Sequence, residues 1–291
     1  MSDIDAHPEP AIEAGHWAEL EWPVERTIRP AKRRVRVRDL PSMAPIVRTL
    51  AARDFKVKYK QSLLGPVWLV FQPIALLAGF LVAFKGLADV KSAGVPYTVF
   101  ALAGLTVWSF FQASMIIGTA SVVTNANFVR YTPCPRPSFP MATIIASLPS
   151  FLVTGVGAIV AALATGYLSP RAILLPLGML WVVVLTLGLI SFSSAMTVRY
   201  RDINSALPFL LQVGVFLAPV GYAVQNLSDT VRTIVYFNPL TGVMEAVRWM
   251  IVRSYQPAIE PIVIAAVATV VIVVSGWRFF SLRETTMADD I

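Results

Sequence analysis

The chain has 291 residues, 56% apolar and only 14% charged, with a formal net charge of +7 at pH 7. A soluble domain carries about 25% charged residues, so this composition excludes an ordinary water-soluble core. Uncharged runs at 61–84, 92–129, 137–170, 172–198, 203–228 and 261–277 match the roughly 17–25 apolar residues a membrane-spanning helix needs, and they predict six spans.

Residues 1–40 read as a mobile tail, acidic and polar over their first 25 residues without the pattern of a secretory signal. Seven cations then crowd residues 26–38, where anionic lipid can attract each by about 1 kcal/mol. Over 41–63 the pattern predicts an amphipathic helix lying in the membrane interface. At about 100° per residue, Met43, Ile46, Val47, Leu50 and Val57 share an arc of about 100°, and Arg53, Lys56 and Lys60 cluster on its flank. Asp54 falls inside the apolar arc, and a buried acid needs a partner. Lys58 at i+4 or a second subunit would supply one. Gly65-Pro66 breaks this helix, and Pro66 suits the first turn of the next.

The spans are expected at about 67–84, 98–123, 139–167, 172–197, 206–224 and 260–279. Prolines within them are tolerated where neighbours satisfy the freed carbonyls. Two connections on one side stand out. Residues 124–140 are stiffened by prolines and carry Asn127, Arg130, Tyr131 and Arg136. Residues 199–204 are short and charged, with Arg199, Arg201 and Asp202. They read as ordinary loops or, beside the basic helix, as a docking surface for a cytoplasmic partner. Residues 227–254 are too often interrupted by charge to span. Asn238-Pro239 splits them, which predicts two half-helices that dip into the outer leaflet and return. Glu245 and Arg248 stand at i+3 within this re-entrant pair, as a neutralising ion pair or as functional intramembrane charges. With both termini cytoplasmic, 18 of the 24 Lys and Arg lie on the cytoplasmic side, as the positive-inside rule requires.

Several chemistries find no support. The two histidines, His7 and His16, are both in the tail, and the single cysteine, Cys134, excludes an internal disulfide and a multi-Cys metal site. Between residues 61 and 228 the acids are Asp89 and Asp202 alone, which weakens a proton relay or a metal-dependent glycosyl transfer. No P-loop is present, so ATP-driven transport would take its motor from another subunit. No nucleic-acid motif accompanies the basic charge.

The order of these elements resembles the permease subunit of type 2 ABC exporters, closest in the branch that exports O-antigen, capsule, teichoic acid or galactan. Three motifs carry the likeness: RDFKVKYKQSLLGPVW at 53–68, YRDI at 200–203 followed by PFLLQ at 208–212 and APV at 218–220, and YFNPL at 236–240 running to EAVR at 245–248. Together with the topology they cover about residues 41–285. The resemblance implies an all-α integral membrane fold of six spans, with the interface helix in front and the re-entrant pair before the last span. It implies a homodimer with two copies of a cytoplasmic ATPase, in the bacterial plasma membrane. This chain would hold no cofactor; ATP and Mg would bind the ATPase. The cargo would be a polysaccharide on a polyprenyl diphosphate.

Site residues follow from that likeness. Arg53, Lys56, Lys58 and Lys60 would meet the lipid headgroup or diphosphate. Trp68, Phe71, Phe80, Trp108, Phe110, Phe111, Phe209 and Tyr222 are the candidates for the sugar path, with Trp68, Phe71 and Trp108 foremost. Asp54, Asn127, Arg130, Tyr131, Arg136, Arg199, Arg201 and Asp202 would face the ATPase, and Asn238, Pro239, Glu245 and Arg248 would form an external gate. Two readings compete: a drug or small-lipid exporter of the same architecture, and a membrane enzyme of glycan assembly.

Overall fold

The computed structural model describes residues 39–60, 65–87, 92, 94–132, 134–284 and 286–287. The expected N-terminal tail, apart from residues 39 and 40, lies outside them, as do residues 288–291. Regular structure among the described residues is helical, except for one isolated bridge between Leu168 and Val252. In chain order the helices are α1 (Leu40–Lys60), α2 (Trp68–Phe80), α3 (Tyr97–Thr124), α4 (Ala126–Tyr131), α5 (Ser138–Ala164), α6 (Leu175–Arg199), α7 (Ile203–Leu217), α8 (Asp229–Tyr236), α9 (Pro239–Ile251) and α10 (Ile259–Arg283). A short 3₁₀ turn leads into α2, and a π-helical turn, Leu81–Leu87, continues it. Among the described residues, five helical segments are long and apolar enough to cross a membrane: Gly65–Gly86, Tyr97–Thr124, Ser138–Ala164, Pro170–Arg199 and Ile259–Arg283.

The predicted fifth span needs correction. Residues 206–224 were expected to be one helix, but α7 stops at Leu217 and Ala218 turns extended. At about 1.5 Å per residue its 15 residues reach about 22 Å, short of the roughly 30 Å hydrocarbon core. Pro219 is the physical reason, because its ring disfavours helical backbone in the preceding residue. Non-helical backbone inside a membrane survives only where protein satisfies its polar groups, and here each carbonyl has a partner. Leu217 O accepts from the Tyr222 hydroxyl at 3.2 Å, and Ala218 O accepts from Val220 N at 2.7 Å. Pro219 O accepts from Arg248 Nη2, Val220 O from the same atom at 3.0 Å, and Gly221 O from the Tyr97 hydroxyl at 2.9 Å.

α3 forms the centre of the bundle. Phe100, Leu105, Val107, Trp108 and Phe110 are buried on it, against α5, α6, α7 and α9. Backbones approach closely where glycines meet. A Cβ on Gly276 of α10 would stand 2.2 Å from Gly188 O of α6, and small residues at such crossings are the usual means of tight packing in membranes. Trp181 Nε1 donates to Thr269 Oγ1 across the same pair of helices at 2.9 Å.

α1 packs on one end of this bundle. Met43, Val47, Leu50 and Ala51 enter a second apolar cluster with Val122, Val129, Phe139, Ala142, Val198 and Phe280. Ile46 and Val57, from the same predicted arc, stay exposed. Gly65 takes φ +50° at the corner between α1 and α2, a left-handed backbone that glycine adopts without penalty. The opposite end carries α8 and α9. Asn238 caps α9, its Oδ1 accepting from Leu240 N at 3.1 Å, and Pro239 fills the first helical position.

Candidate functional site

Three helices frame an open groove of about 550 Å³, lined by Trp68, Phe71, Gln72, Ala75 and Leu76 of α2, Trp108 and Gln112 of α3, and Gln212, Val215 and Phe216 of α7. Trp68 and Phe71 sit edge to face, 5.3 Å between ring centroids, and both are exposed. Trp108 forms part of the wall and is almost wholly covered, yet its indole Nε1–H has no hydrogen-bond partner. The three aromatics named foremost from the sequence therefore share one groove. The other five lie elsewhere. Phe80, Phe110 and Phe111 are buried within the bundle, and Phe209 is exposed but not part of the groove lining. Tyr222 donates to Leu217 O at the break after α7. The reading of aromatics alone missed the glutamines. An amide in the middle of an otherwise apolar span was the available signal, since a polar group in hydrocarbon is expensive.

A second constellation holds the two charges of α9, both fully buried. Arg248 Nη1 donates to Glu245 Oε1 at 3.3 Å. Its guanidinium lies over the Phe100 ring, 3.7 Å from the centroid, and it donates to Pro219 O and Val220 O. A Cβ on Gly104 would stand 2.8 Å from Arg248 Nη2, so this glycine makes the room. Glu245 also accepts from the Tyr255 hydroxyl at 2.6 Å and from Ala258 N at 3.1 Å. Burial pushes the Tyr255 phenol up, which keeps it a donor. The i+3 pair read from the sequence is present, and the structure adds that Arg248 clips α9 to α3 and to the broken end of α7. Asn238 and Pro239 start the same helix. Nearby, Arg171 lies 4.5 Å over the Trp249 ring and donates to Val252 O and Arg253 O, closing the last turn of α9.

At the α1 end, Arg53 turns inward. Its Nη2 donates to Asp54 Oδ1 and to Asn125 Oδ1, both at 2.7 Å, and its guanidinium lies 5.6 Å from the Phe128 centroid. Asn125 in turn donates to Ser121 O at 2.7 Å. Arg53 thus ties α1 to the start of α4, and Asp54 is held by its own neighbour. Lys56 and Lys58 are exposed; the Lys60 side chain lies outside the described residues. Asn127, Arg130 and Tyr131 of α4, with Arg199 at the end of α6 and Arg201 and Asp202 between α6 and α7, are all exposed at this end, whereas Arg136 is buried. Burial pushes the half-buried Cys134 thiol up, away from a reactive thiolate. Removing the tie by Arg53→Ala is expected to open α1 locally by about 1 kcal/mol. Tryptic cleavage after Lys56 and Lys58 in membranes then rises about fivefold; unchanged cleavage would show that the link holds nothing.

An all-helical integral membrane protein with a groove of ligand size, a charged face at one end and a buried ion-pair clip at the other is built as a membrane permease. The chain belongs to the ABC-2 type transporter family, whose model matches residues 46–252. It is 23% identical over 258 residues to the O-antigen export system permease protein RfbA of Myxococcus xanthus, covering 88% of this chain and 98% of that one. A Klebsiella pneumoniae protein of the same name is 27% identical over 196 residues, 66% of this chain and 74% of that one. The polysialic acid transport protein KpsM of Escherichia coli is 22% identical over 247 residues, 83% and 94% of the two chains.

Proposed function

We propose that this chain is the membrane-spanning subunit of an ATP-driven exporter that carries a polyprenyl-diphosphate-linked polysaccharide across the bacterial plasma membrane. The observation that carries the reading is the groove between α2, α3 and α7. Aromatic rings present flat apolar faces to sugar rings, and amides offer both donors and acceptors to hydroxyls. Membership of the ABC-2 type transporter family and the names of the relatives agree with that cargo.

The working assembly is two copies of this chain with two cytoplasmic ATPase subunits, and both termini in the cytoplasm. ATP and Mg bind the ATPase. It docks on the exposed groups of α4 and of the α6–α7 connection. Its motion reaches α1 through Arg53 and Asn125, and reaches α2 through the Gly65 corner. Lys56 and Lys58 on α1 lie where anionic headgroups arrive. The α8–α9 pair covers the outer end, and opening there releases the cargo.

Depleting the chain tests this reading. A lipid-linked glycan is expected to accumulate on the cytoplasmic side while surface glycan falls; no accumulation would sink it. Replacing Trp68 with Ala removes a stacking face worth about 1 kcal/mol. Export should slow about fivefold with normal amounts of protein in the membrane, and wild-type export would make Trp68 a packing residue only.

A further inference from the structure

The groove itself narrows the cargo. Gln72, Gln112 and Gln212 come from three different helices, and none of their amides is hydrogen-bonded to another described residue. Counted along their helices at about 1.5 Å per residue, they lie about 10–18 Å in from the α1 end, within the hydrocarbon core. Amides there do not belong against lipid, because acyl chains leave every N–H and C=O unpaired. Trp108 lines the same groove at 2% exposure, and its indole N–H, buried behind the wall, has no hydrogen-bond partner. Three unsatisfied amides on converging helices describe a site that awaits hydrogen-bonding groups from a ligand.

Charge is the second observation. The helices α2, α3 and α7 contain not one Asp, Glu, Lys or Arg along their whole length. Of the two buried cations among the described residues, Arg136 does not line the groove, and Arg248 is already engaged by Glu245, Pro219 O and Val220 O. A carboxylate or phosphate on a sugar would lose its hydration in this groove and meet no cation in return, the costly case for a buried ion. A hydroxyl-bearing neutral sugar meets what the groove offers: amides that donate and accept, and three exposed rings, Trp68, Phe71 and Phe216.

We propose that the groove is a selectivity site for an uncharged glycan segment, read by Gln72, Gln112 and Gln212, and that it discriminates against acidic sugars. This rests on the export reading above. It adds that the repeat unit passing the groove carries neither carboxylate nor phosphate.

Two arms test it. The lipid-linked glycan that accumulates on depletion is released from its diphosphate by mild acid and passed over an anion exchanger at neutral pH. The released glycan is expected to run through unretained. If it is retained, the selectivity proposal falls and export stands; if no lipid-linked glycan accumulates, the export reading falls and takes the proposal with it. In the second arm, Gln112→Leu/Gln212→Leu is expected to lower surface glycan about tenfold at a wild-type level of membrane-inserted protein, as loss of two hydrogen bonds predicts. Should that variant fail to insert, Gln72→Leu at an exposed position is expected to give about a threefold loss. Wild-type export by the inserted variant would mean that lipid or a second copy of the chain fills the groove, and would overturn the proposal.

Discussion

Arg248→Met is expected to destabilise the protein by about 3–5 kcal/mol, the range for removing one partner of a buried ion pair. The loss has three parts. Glu245 stays buried with its charge uncompensated, held only by the Tyr255 hydroxyl and Ala258 N. Pro219 O and Val220 O lose the donor that lets α7 end inside the membrane. The face of Phe100 loses its cation. Arg248→Lys should rescue little, because a single ammonium cannot match a planar fork that reaches Glu245 and two carbonyls at once. Glu245→Gln combined with Arg248→Met should recover part of the loss, since the two positions are coupled. The measurement is the thermal midpoint of the detergent-extracted protein and the fraction that stays monodisperse. A single Met variant as stable as wild type would show that the clip contributes nothing.

Gly276→Ala is the second change expected to have a large effect. Its methyl group would stand 2.2 Å from Gly188 O, and the obstacle is backbone rather than a flexible side chain. α6 and α10 must separate, which also strains the Trp181–Thr269 hydrogen bond. Overpacking of this kind costs about 1–3 kcal/mol. Gly157→Ala is the control, since a Cβ there meets nothing within 4 Å; it should be neutral or slightly stabilising through better helix propensity. Equal midpoints for the two variants would refute the argument from close approach.

The class of fold was legible because hydrocarbon tolerates so few alternatives. A long charge-free run in a membrane must be helical, and five such runs coincide with the five long helices. The break after α7 was hidden because Ala218, Pro219, Val220 and Gly221 are as apolar as the helix they end. Hydropathy cannot see it, although Pro219 carried the signal. The Glu245–Arg248 pair followed from i+3 spacing. The wider role of Arg248 depends on carbonyls 28 and 29 residues earlier in the chain, and no local pattern encodes such a contact. The same holds for Arg53 and Asn125, which are 72 residues apart. On α3, Trp108, Phe110 and Phe111 differ by about 100–300° around the axis, so their composition could not say which one faces the groove.

The break in α7 also has a consequence for biosynthesis. Helix insertion during translation follows chain order, and residues 203–222 leave the ribosome well before Arg248 does. Until α9 is made, Pro219 O and Val220 O lack the donor that later holds them. The fifth segment therefore enters the bilayer in a provisional state and is completed backwards, when a residue synthesised afterwards swings in beneath Phe100. A released chain truncated shortly before residue 248 should hold this segment loosely, open to water-soluble thiol reagents at a cysteine placed at position 220, and extending the chain through α9 should close it.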